Sequence, residues 1–408
     1  MSNKIHEKYR TIGIKQLRHN ALERDQSCTF DKKAWNALIQ ENFFGIMAPK
    51  EYGGDALSLS DSIAAHRGLA EGSLDLGFVF TVSVQSVLAI ELLLKFGTAD
   101  QKEKYLKPAI RGDIVFAISN AEHQAGTDMN KIKSSVKYDS AGKPFLSGNK
   151  TVCTNVPFAD VVLLSAHNEK TGTFDIYLID TNLGETQSWT DQLLGVRTGI
   201  TGALYFDNVH ISDIEQRRLG KPGQAPSILQ ACFDLDRLIL AVMVSGCLRG
   251  LVDMAIENIQ LRAEKDPEFA KHQYIQEKFY KVFSCAEKID GLITMIVNDL
   301  PDREVLSALK QRRNTLSVLK ELLCTEAYDA ASDIFELFGF LSFKGDHLMQ
   351  KILRDLMAFK FLGGTKELQK NMVFANYQKS SALKLKQKAT ISTLNTTPKK
   401  GKRSEPII

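Results

Sequence analysis

The chain has 408 residues, of which 44% are hydrophobic and 25% are charged, the balance of an ordinary globular protein. Its length predicts two or three subdomains rather than one small core. The six cysteines lie far apart without a Cys-x-x-Cys pair, so we expect neither a metal site nor a disulfide framework, and a reducing cytoplasm is the simplest location. The net charge is only +4, and we expect no nucleic-acid partner.

The first 113 residues are predicted to form a helical domain. Residues 55–70 and 74–96 carry apolar side chains at helical spacing, and glycines punctuate the two segments. The N-terminus has no apolar signal segment. The longest apolar run, residues 238–248, is about half the roughly 20 residues that a membrane-spanning helix needs. It therefore predicts a buried helix and no membrane span.

The character of the sequence changes at about residue 114. Residues 160–164, 174–179 and 203–206 are short β-prone segments, and turn residues such as those at 139–144 separate them. This pattern predicts an antiparallel β domain over residues 114–222.

After residue 222 the pattern is helical again. Apolar side chains recur at steps of three and four residues from Ala241 to Ile259 and from Ile275 to Ile293, which is typical of long helices in a four-helix bundle. The bundle is expected to fill residues 223–380. Residues 381–408 are predicted to form a basic, disordered tail, which either only solvates the chain or binds an acidic partner.

Three motifs lie along the chain at a characteristic spacing. Residues 45–54 contain Pro-Lys-Glu-Tyr-Gly-Gly, residues 96–106 contain Gly-Thr-Ala-Asp-Gln-Lys, and residues 354–365 begin with Arg-Asp and end with Gly-Gly-Thr. Together they resemble the acyl-CoA dehydrogenase family, and the resemblance covers nearly all of residues 10–378. It implies an α+β multidomain fold with an N-terminal helical domain, a middle antiparallel β domain and a C-terminal four-helix bundle.

The resemblance also implies bound FAD. The family's flavin loop corresponds to residues 121–128, where Thr127 keeps a hydroxyl for the pyrophosphate and Ala121 lacks the hydroxyl near the pyrimidine ring. Ser119, Asn120 or backbone N–H groups would have to compensate for that loss. Thr154 matches the hydroxyl that faces flavin N5, although it is alternatively an ordinary strand threonine. The cofactor-binding residues implied in this part of the chain are Ile118, Ser119, Asn120, Ala121, Gly126, Thr127, Val152 and Thr154, with Val152 replacing a ring-covering Trp.

A second group of FAD contacts is implied in the C-terminal part. Arg262 stands eleven residues before Gln273, as in relatives, where that arginine reaches the pyrophosphate of a neighbouring subunit. A homodimer or homotetramer is therefore expected. Phe340 stands where relatives commonly have glycine, and its ring would narrow the cofactor channel. The group consists of Arg262, Gln273, Glu336, Gly339, Phe340, Thr365 and Glu367.

The family's usual catalytic base is absent. Relatives place a Glu before the final Gly-Thr, and here that position is Gly363. Some branches place the Glu instead just before an Arg on a bundle helix, which corresponds to Asp236. Asp236 is our leading candidate for the base, although Asp has a shorter reach than Glu by about one C–C bond and small misplacements slow catalysis. Alternatively, Asp236 is only a helix-start or salt-bridge residue, and Asp234 or another acid acts. The implied substrate-binding residues are Asp234, Arg237, Gly363 and Gly364.

The resemblance implies an FAD-dependent oxidoreductase that α,β-dehydrogenates or oxidises an acyl thioester carried on CoA or an acyl carrier protein. A carboxylate would remove the α proton while the β hydrogen leaves as hydride to flavin N5. Oxygen or an electron-transfer flavoprotein would take the electrons. Two alternatives remain: a flavin-dependent monooxygenase of the same fold, which the retained Arg262 and Gln273 disfavour, and a degenerate family member that serves as a subunit.

Overall fold

The computed structural model describes residues 2–126, 128–183, 186–298, 300–301 and 304–395. In these residues a helical segment is followed by a β domain and then by a second helical segment, in the predicted order.

The N-terminal segment is built from short helices. The predicted apolar helix over residues 74–96 is found as three consecutive stretches: α5 (Leu76–Ser83), a π-helical stretch over Val84–Ala89, and α6 (Ile90–Phe96). Asp75 caps the start of α5 by accepting a hydrogen bond from the backbone N–H of Phe78. The helices are α1 (Ser2–Ile12), α2 (Ala21–Ser27), α3 (Lys32–Gln40), α4 (Leu59–Ser73), α5 (Leu76–Ser83), α6 (Ile90–Phe96) and α7 (Ala99–Ile110).

The middle segment forms one sheet, in which β6, β7, β3, β2, β4, β5 and β8 lie side by side and β1 also pairs with β4. The three β-prone segments of the sequence are confirmed as β4, β5 and β7. The strands are β1 (Phe116–Ser119), β2 (Ser135–Tyr138), β3 (Pro144–Thr154), β4 (Val161–Asn168), β5 (Thr173–Asp180), β6 (Thr186–Thr190), β7 (Thr201–His210) and β8 (Arg218–Leu219).

The prediction of a purely antiparallel sheet is wrong for two pairs, because β1 and β2 both run parallel to β4. Parallel neighbours need a long connection rather than a tight turn. The long segment between β1 and β2 lets both strands lie in the same direction against β4, and this same segment forms one wall of the site described below.

The C-terminal segment contains four long helical rods, as the sequence predicts: α9, α10, the pair α12 and α13 joined by a π-helical stretch over Leu323–Ala327, and α15. α9 is mostly buried along its first 27 residues, because it packs against both helical segments. The helices are α8 (Ile214–Arg217), α9 (Ala225–Ala263), α10 (Gln273–Val297), α11 (Val305–Leu309), α12 (Arg313–Leu322), α13 (Tyr328–Leu337), α14 (Leu348–Ala358) and α15 (Lys366–Asn395).

The predicted start of the disordered tail at residue 381 is too early. α15 continues to Asn395, and residues 396–408 lie outside the described residues. Residues 366–395 contain neither glycine nor proline, so nothing in the sequence ends the helix at 380.

Two helical stretches, Leu76–Phe96 and Ala225–Ala263, are long and apolar enough to cross a membrane by length and composition alone. Their most apolar windows are 94% and 72% buried within the fold, so both are core helices. The apolar run over residues 238–248 lies inside the second of them.

Candidate active site

A cavity of about 430 Å³ lies where the three segments of the chain meet. Its walls come from the π-helical stretch after α5, the segment that follows β1, the end of β3, the middle of α9 and the turn between α14 and α15. Most of the lining is apolar, and its large apolar side chains are those of Phe80, Val84, Leu88, Ile118, Met129, Val152, Phe233, Phe361, Leu362 and Leu368.

The cavity brings together most of the residues that the sequence implicated. Thr127 lies outside the described residues, and Glu367 is exposed on the first turn of α15. The predicted residues that line the cavity are Ile118, Asn120, Ala121, Gly126, Val152, Thr154, Asp236, Arg237, Gly363, Gly364 and Thr365.

Asp236 is the acidic residue in this lining. Its side chain is only 7% exposed, and its Oδ1 atom has no hydrogen-bond partner among the described residues. It is the twelfth residue of α9, well beyond the first helical turn, and it forms no ion pair within the described part of the chain. The two structural alternatives, a helix-start residue and a salt-bridge residue, therefore do not describe its environment.

The carboxyl group of Asp236 faces the position where relatives carry the missing Glu. The Cβ point of Gly363, meaning the place that a Cβ atom would take on that residue, is 3.2 Å from Asp236 Oδ2. Leu240 Cδ1 lies 2.9 Å and Lys320 Cε 3.4 Å from the same point. Side chains from α9 and α12 thus fill the space next to the glycine.

Burial raises the pKa of Asp236 to about 6, and the positive charges of Arg237 and Lys320 oppose this rise. A buried carboxylate without hydrogen-bond donors pays a desolvation cost in its charged form, which explains the direction. A pKa near neutrality is the property that a general base needs in order to accept a proton and remain mostly ionised.

Asp234, the alternative acid, is fully buried but already occupied. Its Oδ2 accepts a hydrogen bond from Arg313 Nε at 2.6 Å, and its Oδ1 accepts bonds from Gln230 at 2.9 Å and Arg237 Nη1 at 3.3 Å. Asp234 does not line the cavity. Its geometry fits a residue that holds Arg237 in place rather than a base.

Arg237 in turn connects α9 to the glycine turn. Its Nε donates a 3.2 Å hydrogen bond to the carbonyl oxygen of Gly363. Gly363 and Gly364 adopt φ angles of +68° and +97°, in the left-handed region that favours glycine. The N–H of Gly363 donates to no backbone acceptor among the described residues, and Gly363 lines the cavity.

The end of β3 forms the opposite wall. The pairing of β3 with β7 is irregular between Lys150 and Cys153, and Val152 there has a φ of +55° and is 60% exposed. A β-branched residue in this conformation is strained. Thr154 follows as a buried residue of the cavity wall.

Ser119 cannot replace the hydroxyl missing at Ala121. Its side chain is fully buried, and its Oγ lies 2.7 Å from Cys153 Sγ behind the wall. Ser119 does not line the cavity, whereas Asn120 does. Of the two side chains proposed to compensate, only that of Asn120 lies on the cavity side.

The second group of predicted cofactor residues lies elsewhere on the chain. Arg262 Nη2 is 3.5 Å from the Cβ point of Gly339, and its guanidinium lies 5.2 Å from the ring centroid of Phe269. Gln273 is exposed, and Phe340 is 81% exposed. Glu336 is exposed, and its carboxylate forms an ion pair with Lys278. None of these residues lines the cavity of the same chain.

Sequence reasoning missed two supporting residues beside the predicted ones. Lys150, which is fully buried, pairs with Glu122 at 2.9 Å. Glu122 also accepts hydrogen bonds from the backbone N–H groups of Lys133 and Ser134 at 2.7 and 3.0 Å. These contacts fix the cavity wall around residues 120–126. Lys150 belongs to the same sequence motif as Thr154, but the spacing of the sequence does not identify Glu122 as its partner.

Comparisons with known proteins agree with this fold. Isovaleryl-CoA dehydrogenase, mitochondrial, from Arabidopsis thaliana is 28% identical over 360 residues, which cover 86% of this chain and 84% of that protein. The solved structure described as PigA with FAD and proline has a TM-score of 0.82 at 18% identity, covering 92% of this chain and 97% of the other. The prolyl acyl carrier protein oxidase AnaB has a TM-score of 0.81 at 23% identity, covering 92% and 98%. At these identities the two structures support the fold alone.

Family models match nearly the whole chain. Residues 2–113 match the acyl-CoA dehydrogenase N-terminal domain, residues 117–209 match the middle domain, and residues 226–378 match the C-terminal domain. The chain therefore belongs to the acyl-CoA dehydrogenase family.

Proposed function

We propose that this chain is an FAD-dependent oxidoreductase that removes hydrogen from the α and β carbons of an acyl thioester, with Asp236 as the base that takes the α proton. The observation that carries this proposal is the buried carboxyl group of Asp236, which lines the cavity without a hydrogen-bond partner at Oδ1 among the described residues and adjoins Gly363.

The residues around the cavity fit a flavin. Its wall offers the hydroxyls of Thr154 and Thr365 and the amide of Asn120 among apolar side chains, which suits a flat ring with polar edges. Bound FAD would supply the acceptor for the β hydrogen. The solved structures that share this fold include one with FAD.

The remaining cofactor residues support an assembly. Arg262 and Gly339 lie together but away from the cavity of their own chain, as expected if they serve the cofactor of a neighbouring copy. This separation supports the expected homodimer or homotetramer. We also propose that the protein is cytoplasmic.

The proton-transfer step depends on three groups of this chain. The thioester carbonyl accepts a hydrogen bond from the N–H of Gly363, which stabilises the enolate that forms as the proton leaves. Arg237 donates a hydrogen bond to the Gly363 carbonyl and so holds the glycine turn against α9. Asp236 then receives the proton, and its raised pKa makes it a stronger base than an exposed carboxylate.

The carrier of the acyl group is either CoA or an acyl carrier protein, and relatives of both kinds occur: the Arabidopsis enzyme is named for a CoA thioester and AnaB for an acyl carrier protein. Oxygen or an electron-transfer flavoprotein would reoxidise the cofactor.

The test is anaerobic mixing of the purified, FAD-loaded protein with a panel of acyl-CoA and acyl-carrier-protein thioesters, followed by flavin absorbance. We expect bleaching with at least one thioester. Asp236→Asn should bleach on the order of 100-fold more slowly or worse, since general-base catalysis contributes at least that much. Asp253→Asn, an exposed acid on the same helix, is the matched control and should bleach like wild type.

Bleaching of Asp236→Asn at the wild-type rate would remove Asp236 from the mechanism. Turnover that requires reduced flavin and oxygen would instead indicate a monooxygenase. A colourless protein that takes up no FAD would indicate a non-catalytic subunit.

A further inference from the structure

Lys320 is a buried cation without a counter-ion. It lies on α12, between the core residues Leu316 and Leu323, and its side chain is completely buried. Its Nζ donates a 2.8 Å hydrogen bond to the carbonyl oxygen of Phe359 and lies 2.8 Å from Cys324 Sγ. Within the described residues it forms no ion pair. A buried ammonium group in this situation is costly unless a negative charge is near.

Asp236 is an acidic residue that lies close to Lys320. Asp236 Oδ2 and Lys320 Cε lie within 3.2 and 3.4 Å of a single point, the Cβ point of Gly363. Asp236 likewise forms no ion pair with any described residue, and its Oδ1 has no hydrogen-bond partner among them. Two unpaired buried groups of opposite charge therefore flank the same glycine.

Two other cations near Asp236 share a single carboxylate, that of Asp234. Arg237 pairs with Asp234 at 3.3 Å, and Arg313 pairs with the same carboxylate at 2.6 Å. Burial raises the pKa of the Cys232 thiol, one turn before Asp236 on α9, so this group stays neutral at neutral pH. Arg237 also favours the charged form of Asp236, but Lys320, on a different helix, is the facing cation that forms no ion pair with a described carboxylate.

We propose that Lys320 is a positioning residue for the relocated base: its ammonium group is the fixed counter-charge that keeps the Asp236 carboxyl ionised and turned towards the gap at Gly363. The proposal rests on the proposed function for its catalytic meaning, but the electrostatic coupling itself exists without substrate. Lys320 does not line the cavity, so it acts through Asp236 and not on the substrate.

This arrangement explains why a glycine is tolerated where relatives carry a Glu. The Cε of Lys320 and the carboxyl of Asp236 occupy the space beside residue 363 from two sides. A longer side chain at 363 would have to displace one of them. Asp236, Lys320 and Gly363 thus form one structural unit, which cannot be recognised from any one of these residues alone.

The coupling is tested first in the FAD-loaded protein without substrate. The pH titration of the Asp236 carboxyl is followed by infrared difference spectroscopy, with Asp236→Asn identifying its band. Lys320→Gln removes the positive charge but keeps a hydrogen-bond donor for the carbonyl oxygen of Phe359. If this variant does not fold, Lys320→Met is the second neutral variant. We expect the titration to move to higher pH by about one pH unit in a neutral variant, because a nearby opposite charge favours the ionised carboxyl.

Two variants serve as controls. Lys320→Arg keeps the charge and should titrate close to wild type. Lys288→Gln removes an exposed lysine paired with Glu326 and should leave the titration unchanged. A neutral Lys320 variant that titrates with wild type would overturn the proposal.

The catalytic consequence is tested with the pH profile of flavin bleaching. In the neutral variant the acid limb should move upward by about one pH unit, so the rate at pH 6 falls several-fold while the rate on the alkaline plateau is retained. A uniform loss at every pH would mark Lys320 as merely structural. If Asp236→Asn bleaches at the wild-type rate, Asp236 is not the base. The infrared titration of the Lys320 variants then still tests the electrostatic coupling between Lys320 and Asp236.

Discussion

Lys351 Nζ on α14 lies 2.8 Å from Asp75 Oδ1 at the start of α5, and both side chains are completely buried. Lys351 also lies 2.5 Å from Asp355 Oδ2, and Asp355 Oδ1 accepts a 2.7 Å hydrogen bond from the N–H of Val196. This network joins the N-terminal helices, the middle domain and the bundle directly behind the turn that carries Gly363. It gives the Arg354-Asp355 motif a structural role.

Replacing Lys351 with Met should therefore cost on the order of 3–5 kcal/mol of unfolding free energy, because it leaves Asp75 and Asp355 buried with less compensation. The measurement is urea unfolding followed by circular dichroism. The control is Lys271→Met, which breaks an exposed pair with Glu268 and should cost less than about 1 kcal/mol. Equal midpoints for the two variants would show that the buried network contributes little.

The rate of flavin bleaching should fall on the acid side of a pKa near 6. Asp236 accepts a proton only when it is ionised, so activity is present above about pH 6 and is lost as the pH falls through that value. Below it, the rate should drop about tenfold per pH unit. Stopped-flow measurement from pH 5 to pH 8 checks this. A flat profile over that range would mean that another group accepts the proton.

Asp236 should lower the stability of the protein at alkaline pH. Its folded pKa is raised above the unfolded value, so the folded state holds a proton more tightly and loses stability as the pH rises from about 4 to above 6. At pH 8, Asp236→Asn should be more stable than wild type by up to about 3 kcal/mol, with the difference disappearing towards pH 4. Thermal melts at both pH values measure this, and a less stable variant at pH 8 would contradict it.

Much of the fold was predictable because it depends on local periodicity. Steps of three and four apolar residues gave the rods of the bundle, and β-prone runs located β4, β5 and β7. The parallel pairing of β1 with β4 was not predictable, since register and direction are set by contacts between distant segments. The length of α15 was missed because lysine-rich composition was taken to indicate disorder, although lysine is also a good helix former.

The site was predictable only where a motif names a residue. The position before Arg237 pointed to Asp236, and the structure brings it to the cavity beside Gly363. Ser119 was misjudged because strand alternation turns its side chain towards Cys153 and away from the cavity. Lys320 was missed because a lysine within a helical stripe is usually on the surface, and only packing shows that this one is buried.

Gly363→Ala should reduce both stability and activity. A Cβ at this position would meet Leu240 Cδ1 at 2.9 Å and Asp236 Oδ2 at 3.2 Å, on a backbone with a φ of +68°. The backbone strain alone costs about 1 kcal/mol, and displacement of Asp236 by a few tenths of an ångström should slow bleaching on the order of 10-fold, since about 1 Å can cost about 100-fold. Gly172→Ala is the matched control, since it has a φ of +66° and no neighbour within 4 Å. Equal losses in the two variants would exclude crowding at Asp236.

Arg262→Gln should weaken FAD binding without disturbing the cavity. Arg262 lies beside Gly339 and stacks on Phe269, away from the lining residues, so its removal leaves Asp236 and Thr154 in place. Loss of a charged hydrogen bond to the pyrophosphate should raise the dissociation constant of FAD about 10- to 100-fold. The measurement is calorimetric titration of the apoprotein, with the exposed Arg111→Gln as the control. Unchanged affinity would mean that Arg262 only packs against Phe269. A weakened affinity that depends on protein concentration would further indicate that the arginine reaches the cofactor of a second copy.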